Sequence, residues 1–510
     1  MHKIKEKKTY SKKLETRREF VKESALTMAG LVIIPRFVLG GKGYIPPSDK
    51  LYIACVGCGN EAHADINALA SNPRKNSVIA YLCDVDDIQA APTRKEFPKA
   101  KFYYDWREMF EKEQRHFDAV TVAIPDHNHA IVGLNAMKLH KHLYLQKPLT
   151  HDIYEARILT EAAQKYKVVT QMGNQLSSAD GVRTLKEWFE AGLIGDIQKV
   201  YNWTNRPIWP QGIPWPNEHP EIPKTLKWDL WLGTAQYTEY VPNLVPQKWR
   251  GWWDYGTGSL GDMGCHIFGP SFKLLGLRYP TKVTCDVVKV YSDMGEEAYY
   301  PKSIPSASKT RLTFSLNDGR ELEFYWFDGG MIPPRPERLA PNVNMNEVFF
   351  GGYFGGSMFI GTHGTIVCGE GGLNPKLLPI SLTQDINIPQ KYPRVQGGAT
   401  GHYWQWIDAS IAGYHNDYEG NAALPVLGKS KAYVDSPIDD YAGVLTEGVL
   451  MGNLAMRSFG IRQQKGNGYE YPGRYIEYLW DGPNMQMTNF ELANQFVKRE
   501  YRKGWGPLEV

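Results

Sequence analysis

The chain has 510 residues, which at roughly 150 residues per domain indicates two or three domains with their own cores. Lysine and arginine total 58 against 55 aspartate and glutamate, so the formal net charge is only +3 at pH 7. Such a small charge argues against nucleic acid as a partner. The 49 glycines, 15 tryptophans and 30 tyrosines favour a globular mixed fold over a helical bundle or a disordered chain.

The first 43 residues have the pattern of a targeting signal rather than of a folded domain. A lysine-rich start precedes the adjacent Arg17 and Arg18, and Phe20, Lys22 and a mostly apolar run at 25–34 follow. This order resembles a twin-arginine export signal, so we expect an exported, periplasmic protein; a basic helix that begins the domain is the alternative. No Ala-x-Ala cleavage site is evident, which leaves retention as an N-terminal membrane tether open. The apolar run is too short for an ordinary spanning helix.

Six cysteines are too few to predict a disulfide framework in an exported chain of this length. Cys55 and Cys58 have the spacing of a redox or zinc half-site. However, Cys55 lies in an apolar segment, Cys58 lies between two turn glycines, and no second pair follows. We therefore interpret both as structural.

Residues 48–173 alternate apolar strands with helices of about ten residues. Strands are predicted at 51–56, 77–83, 119–124, 142–145 and 168–172, and helices at 61–70, 88–96, 130–139 and 153–166. This alternation is typical of parallel βαβ units, so the segment is predicted to be a doubly wound Rossmann domain of the α/β class.

Strands and helices no longer alternate regularly in residues 174–510. This segment is predicted to be an α+β domain with a C-terminal extension. A helix at 181–191 and a strand at 197–204 precede a stretch rich in tryptophan and proline. A large, mostly antiparallel sheet is then predicted from segments at 281–291, 311–316, 320–326, 357–360 and 365–368. Further helices are predicted at 402–412, 440–457 and 489–502.

The run Gly57-Cys58-Gly59-Asn60 follows the first strand and opens the first helix, which is the context of a dinucleotide-binding turn. The first glycine permits the turn, the second lets the backbone approach a pyrophosphate, and the helix N-terminus supplies N–H donors. Asp84 ends the second strand 25 residues after Gly59, where a carboxylate would accept bonds from ribose hydroxyls. The acidic residues that follow it would repel a 2′-phosphate, so NAD is the predicted cofactor.

Five separated motifs resemble the superfamily of glucose-fructose oxidoreductase and inositol dehydrogenase, written Gfo/Idh/MocA. They are the glycine turn, Asp84 and residues 123–129, 146–148 and 261–266, in matching order and spacing. The resemblance implies that Pro125 and His129 lie near the nicotinamide, and that Lys147 lies beside both nicotinamide and substrate.

Two positions depart from the pattern of that superfamily. The motif that carries the lysine is usually Glu-Lys-Pro, whereas this chain has Gln146, and the missing charge leaves the tuning of the amine open. Members often carry an aspartate three residues after the histidine of the last motif, whereas this chain has Gly269. A contact to a substrate hydroxyl is therefore expected to be absent.

Asp126, His127 and His129, read without the family, suggest a metal cluster. Neighbours within one loop converge poorly, and no partner motif follows, so we predict that no metal is bound.

Asp262 and His266 form a second constellation, because residues four apart at a helix start share one face. Oxidising an alcohol by hydride transfer requires a base for the hydroxyl proton, and histidine suits that work. The sequence therefore predicts Lys147, Asp262 and His266 as catalytic residues. A helix-capping aspartate with a core histidine is the alternative.

Eight of the 15 tryptophans lie between residues 203 and 253, interleaved with polar side chains. Flat apolar faces beside polar groups suit a sugar ring, although each tryptophan taken singly is as well explained by packing. The predicted substrate contacts are Asn174, Arg206, Trp209, Arg250 and Trp253.

These observations predict an NAD-linked oxidoreductase that acts on a hydroxyl of a saccharide or glycoside and forms a homo-oligomer. One alternative is a glycosidase or lyase that oxidises transiently, eliminates the aglycone and returns the hydride from a retained NAD. Another is a non-catalytic module that binds NAD and sugar.

Overall fold

A computed structural model of the chain describes residues 45–46, 49–345, 355–414 and 433–510, and the predicted signal at 1–43 lies outside these ranges. No helix among the described residues is long and apolar enough to cross a bilayer. The first sheet has six parallel strands in the order β3-β2-β1-β4-β5-β6. Its strands are β1 (Leu51–Val56), β2 (Ser77–Cys83), β3 (Lys101–Tyr103), β4 (Ala119–Val122), β5 (His142–Leu145) and β6 (Thr170–Met172).

Five helices cover this sheet: α1 (Glu61–Ala70), α2 (Asp87–Glu96), α3 (Trp106–Glu113), α4 (His129–Lys138) and α5 (Ile153–Tyr166). The predicted strands and helices of this half are all present, which confirms the Rossmann part of the fold class. Strand β3 and helix α3 were not predicted from the sequence. Strand β3 has only three residues, and α3 is a charged helix whose start is marked by the N-cap Asp105.

The second sheet has nine strands in the order β15-β14-β13-β7-β12-β11-β8-β18-β19. Only β7 and β12 pair in parallel, so the sheet is mostly antiparallel, as predicted. Two further two-stranded hairpins pair β9 with β10 and β16 with β17. The strands are β7 (Ile197–Thr204), β8 (Lys282–Val287), β9 (Tyr291–Asp293), β10 (Glu296–Glu297), β11 (Ser308–Ser315), β12 (Glu321–Phe327), β13 (Gly355–Gly361), β14 (Thr365–Gly369), β15 (Lys376–Leu378), β16 (Gln463–Lys465), β17 (Gly468–Glu470), β18 (Tyr478–Asp481) and β19 (Gln486–Met487).

Among the described residues, six helices accompany this sheet: α6 (Asp180–Glu190), α7 (Trp228–Leu232), α8 (Gly258–Ile267), α9 (Gly269–Leu275), α10 (Gly398–Ala412) and α11 (Gly443–Phe459). The predicted helix at 489–502 is wrong, because this segment holds only a 3₁₀ turn at Glu491–Phe496. The carbonyl of Val497 accepts a bond from the N–H of Tyr154, and the N–H of Arg499 donates to Asp152, so tertiary bonds take backbone groups that a helix would use.

The C-terminal helices return to the Rossmann half. Helix α11 packs against α5, and α10 packs against α1. Tyr144 of β5 stacks on Tyr403 of α10 at 5.1 Å between ring centroids, and Trp406 meets the same tyrosine edge-on. All three rings are buried. Helices of the C-terminal half therefore pack on the Rossmann half and hold the two sheets next to each other.

A buried ion cluster joins α6, α9 and the segment before α11. Both Nη2 contacts from Arg183 to the Asp435 carboxylate measure 3.0 Å, with the two side chains 0% and 1% exposed. Lys273 lies 3.9 Å from the same carboxylate, and the N–H of Asp435 donates to Gln171 of the first sheet. Burial acts to raise the pKa of Asp435, but the charges of Arg183 and Lys273 outweigh this effect and lower the pKa to about 2. One carboxylate thus serves two buried cations.

We predict that Asp435→Asn destabilises the protein by about 3–5 kcal/mol, because it leaves buried cations without their counter-charge. Glu470→Gln is the matched control, since its ion pair with Lys465 is exposed and is expected to be worth no more than about 1 kcal/mol. Urea unfolding followed by tryptophan fluorescence measures both free energies. Equal losses in the two variants would contradict the importance assigned to the buried cluster.

Candidate active site

A cleft of about 710 Å³ opens at the carboxyl ends of β1, β2, β4 and β5. This is the edge at which open parallel sheets bind ligands, next to the point where the strand order reverses between β1 and β4. The opposite wall comes from α8, from the turn that follows β14 and from two loops of the tryptophan-rich stretch.

The glycine turn after β1 is built for a close approach of backbone to ligand. Gly57 has φ of +97°, and a Cβ at this position would lie 2.1 Å from the carbonyl oxygen of Ala123. A Cβ on Gly59 would lie 2.8 Å from Gln89. Asn60 has φ of +45° and makes no side-chain cap, which leaves the first N–H groups of α1 without a side-chain acceptor at that position. A tight turn with glycines and without a side-chain cap is needed for the chain to pass from β1 into α1.

Asp84 lies beside the turn and lines the cleft. Its carboxylate accepts bonds from the N–H groups of Cys58 at 2.8 Å and Asp86 at 2.9 Å. Burial raises the pKa of Asp84 to about 6, while these two donors act to lower it. The Cys58 thiol instead lies in the core near the carbonyl oxygen of Cys83, so Cys58, predicted to bind the cofactor, does not line the cleft and reaches it only through the bond to Asp84.

These features fit a dinucleotide. Gly57, Gly59 and Asn60 would face the pyrophosphate at the N-terminus of α1, and Asp84 keeps lone pairs for ribose hydroxyls beyond the two bonds it already accepts. A side chain in place of either glycine would fill the approach.

Gln146 faces a buried carboxyl group rather than the substrate side. Its amide donates to both oxygens of Asp65 at 3.0 and 2.8 Å, and Tyr403 also donates to Asp65. Burial raises the pKa of Asp65 to about 8. A glutamate at position 146 would set a second carboxyl group against the first, so the amide is the group that this pocket accommodates.

Lys147 takes its negative partner from across the cleft. Its ammonium lies 2.7 Å from the Asp262 carboxylate and also donates to the Asp262 carbonyl at 2.9 Å. Arg250 and Arg206 lie 3.7 and 3.8 Å from the same carboxylate. Burial acts to raise the pKa of Asp262, but Lys147 and the two arginines hold it well below its usual range. The charge that Gln146 does not provide is therefore supplied by Asp262.

His266 follows one helical turn after Asp262 and faces Glu370. Its Nδ1 lies 3.6 Å from Glu370, a separation too long for a direct hydrogen bond. Burial, and then the charge of Lys147, lowers the pKa of His266 to about 3. The imidazole is therefore neutral across the ordinary pH range. Burial likewise raises the pKa of Glu370 to about 7.

The loop after β4 holds Asp126, His127 and His129, which do not converge on a common centre. Asp126 accepts a 2.6 Å bond from Thr257. The ring nitrogens of His127 lie 3.3 and 3.1 Å from the carbonyls of Tyr255 and Trp231, and those of His129 lie 2.9 and 2.7 Å from the carbonyls of Pro148 and Ile124. The histidines thus brace backbone turns. Within the described ranges there is no group of three or more His, Cys, Asp or Glu able to hold a metal ion.

The structure brings most of the predicted site residues to this one cleft: Gly57, Gly59, Asn60, Asp84, Pro125, His129, Lys147, Arg206, Trp209, Arg250, Asp262 and His266. It does not bring Asn174 or Trp253 there. Asn174 is buried beside Gly269, and Trp253 lines a separate cavity. A Cβ on Gly269 would lie 3.0 Å from the Tyr441 hydroxyl, so that hydroxyl occupies the space next to this glycine.

Among the lining residues that were not predicted as site residues, three bear on the chemistry of the cleft. Glu370 stands alone in a glycine-rich turn after an apolar strand, a pattern that sequence reasoning could have noticed. Asp126 was considered only as a metal ligand. Tyr403 reaches the cleft from α10, more than two hundred residues after Gln146, and no local signal marks it.

Comparisons with curated proteins give short, distant matches. Levoglucosan dehydrogenase of Pseudarthrobacter phenanthrenivorans is 24% identical over 187 residues, covering 37% of this chain and 40% of that protein. Inositol 2-dehydrogenase/D-chiro-inositol 3-dehydrogenase of Lacticaseibacillus casei is 28% identical over 145 residues, covering 28% and 41% respectively. The matches thus span about two fifths of the length of these relatives.

Among solved structures, the WlbA dehydrogenase of Bordetella pertussis in complex with NADH and UDP-GlcNAcA has the same fold. The TM-score is 0.51 at 14% identity, over 82% of this chain and 99% of that one. Residues 51–174 match a family model described as the NAD-binding Rossmann fold of an oxidoreductase family, and residues 182–299 match the C-terminal alpha/beta domain of that family. The chain therefore matches the models of both domains of the Gfo/Idh/MocA oxidoreductase family, in order, and its first domain is an NAD-binding Rossmann domain.

Proposed function

We propose that this protein is an NAD-linked oxidoreductase acting on a hydroxyl group of a saccharide or glycoside. The observation that carries the proposal is the ion pair of Lys147 with Asp262, with His266 one helical turn away, in the same cleft as the glycine turn. The sugar and polyol substrates in the names of the matched relatives support this substrate class.

Bound NAD would supply the site with a hydride acceptor. The side chains divide the remaining work. Lys147 is ion-paired as an ammonium, which has no lone pair for a proton but donates a hydrogen bond to an oxygen that becomes negative. His266 is neutral, so a ring nitrogen can accept the hydroxyl proton, although burial and the charge of Lys147 oppose the positive charge that the ring then carries. Asp262 holds Lys147 in place, and Glu370 offsets the positive charge that His266 gains.

Arg206, Arg250 and Trp209 provide the substrate side of the cleft. The guanidinium of Arg250 lies over the Trp249 ring at 4.4 Å and over the Trp209 ring at 6.0 Å. Stacked rings and guanidinium donors suit the C–H faces and the hydroxyls of a sugar. The cleft volume of about 710 Å³ suits a cofactor together with a small substrate.

We predict that Asp84→Ala weakens NAD binding by about 1–3 kcal/mol, because a charge-assisted bond to the ribose is lost. Isothermal titration calorimetry with NAD measures the change. Asp118→Ala is the matched control, since Asp118 lies at the opposite end of the parallel sheet, where it accepts a bond from Tyr52. Unchanged affinity in Asp84→Ala would exclude this residue from the ribose site.

We predict that Lys147→Ala and His266→Ala each slow sugar oxidation by about 10²–10⁴-fold, because each acts on the substrate hydroxyl. NAD affinity should be largely retained, since the glycine turn and Asp84 hold the cofactor. Stopped-flow absorbance of the nicotinamide with a panel of glycosides measures the rate, and net NADH formation separates a dehydrogenase from a cofactor-recycling glycosidase.

The control for the histidine variant is His116→Ala, whose exposed ring pairs with Glu113 and does not line the cleft. It should leave the rate unchanged. If His266→Ala reduces NAD at the wild-type rate, another group takes the proton and the assignment of the base is wrong.

We also propose that residues 1–43 direct export by the twin-arginine route. The expected result for the double variant Arg17→Lys/Arg18→Lys is accumulation in the cytoplasm with NAD binding intact, because that route reads the arginine pair rather than its charge. Cell fractionation with immunodetection measures the distribution, with Lys12→Arg/Lys13→Arg as the charge-matched control. Export of the arginine-pair variant at the normal level would refute this assignment.

A further inference from the structure

A second cavity, of about 520 Å³, lies at the end of α11, away from the cleft, and shares no lining residue with it. Its walls come from the segment after β8, the hairpin of β9 and β10, the end of α11 and the turn at Glu491–Phe496. Its size is that of a small-molecule site and exceeds what a single water or simple ion needs.

The charges around this cavity are unbalanced. Four cations line it, Lys289, Arg457, Arg462 and Arg474, against the single carboxylate of Glu297. Glu297 already pairs with Arg474 and lies 3.6 Å from Lys289. The whole chain carries a formal charge of only +3, so this is a local concentration of positive charge.

Arg457 lines the cavity with a guanidinium that has no acceptor among the described residues. It lies over the rings of Phe496 at 4.3 Å and Trp253 at 5.4 Å, and no described residue gives it an ion pair or a hydrogen bond. Burial lowers the pKa of Arg457 to about 10, and Asp254 and Asp152 only partly oppose this. Asp152 is itself bound by Arg499. A half-buried cation in this state gains from an anion brought by a ligand.

Arg462 forms the rim of the same cavity. Its guanidinium is held between the rings of Tyr299 at 3.6 Å and Tyr469 at 4.0 Å. Within the part of the chain that the structure describes, it has no carboxylate partner. Contact with two rings restricts the movement of the guanidinium, and an ordered guanidinium favours two parallel bonds to a carboxylate or a sulfate.

The rest of the lining combines flat rings with small polar groups. Trp253, Tyr300 and Phe496 provide apolar faces, and the Tyr300 hydroxyl and the Gln495 amide provide polar groups. Ring faces suit the C–H side of a sugar, while hydroxyl and amide groups suit its hydroxyls.

We propose that this cavity is a second ligand site, specific for an acidic saccharide whose carboxylate or sulfate group is bound by Arg457 and Arg462. The site is separate from the oxidoreductase cleft and requires no catalysis.

The test is isothermal titration calorimetry of the full-length protein with D-glucuronate and with D-glucose 6-sulfate, using D-glucose as the neutral probe. We expect saturable binding of at least one acidic probe, and the comparison of the two shows which anion the site takes. Arg462→Gln should weaken that binding tenfold or more while leaving NAD affinity unchanged. Arg457→Gln should have a similar effect, and the rim variant keeps the test decisive if the more buried one does not fold.

Two controls separate this site from the cleft. Lys465→Gln removes a nearby surface cation that pairs with Glu470 and does not line the cavity, so it should leave the binding unchanged. Lys147→Ala alters the cleft and should also leave it unchanged. The proposal is overturned if neither acidic probe binds, if Arg462→Gln binds as tightly as the wild type, or if Lys147→Ala rather than Arg462→Gln removes the binding.

Discussion

The contact between Lys147 and Asp262 is the interaction on which the site depends. Lys147 follows β5 of the Rossmann sheet, and Asp262 lies on α8 of the second half, so their 2.7 Å ion pair crosses the cleft. Arg206 and Arg250 add positive charge around the same carboxylate, which keeps it ionised despite burial. A carboxylate in this setting fixes the lysine as a cation and so leaves proton removal to His266, whose neutral state follows from burial and from the same lysine.

Much of the first half could be predicted from the sequence because its signals are local. Parallel strands buried on both faces appear as continuous apolar runs, and the glycine turn is marked by residues that only its backbone conformation requires. Strand β3 was missed because three residues carry no periodicity. The helix predicted at 489–502 was wrong for the opposite reason: its propensity is local, whereas the backbone bonds of Val497 and Arg499 go to Tyr154 and Asp152, far away in the chain.

The site was predictable in its chemistry but not in its partners. Residue types and spacing indicated Lys147, Asp262 and His266. The sequence could not show that the Gln146 amide donates a hydrogen bond to Asp65, or that the Tyr441 hydroxyl lies next to Gly269. Both departures from the family pattern become understandable once these neighbours are known, because each substitution matches a group that lies far away in the chain. Trp253 illustrates the same limit. It was predicted to contact the sugar because it lies in a tryptophan-rich stretch, whereas in the structure it lines the other cavity.

The two cavities treat positive charge in opposite ways. In the cleft, three cations surround the Asp262 carboxylate. The protein itself thus provides the negative charge that these cations need, and the cations hold this carboxylate in place. In the second cavity, Glu297 is taken by Arg474 and Lys289, and Arg457 and Arg462 meet aromatic rings instead of acids. Aromatic faces attract a guanidinium more weakly than a carboxylate does and leave its N–H donors open at the ring edge. Donors held in place but not satisfied are what a site for an external anion requires, because binding then replaces water without displacing an internal partner.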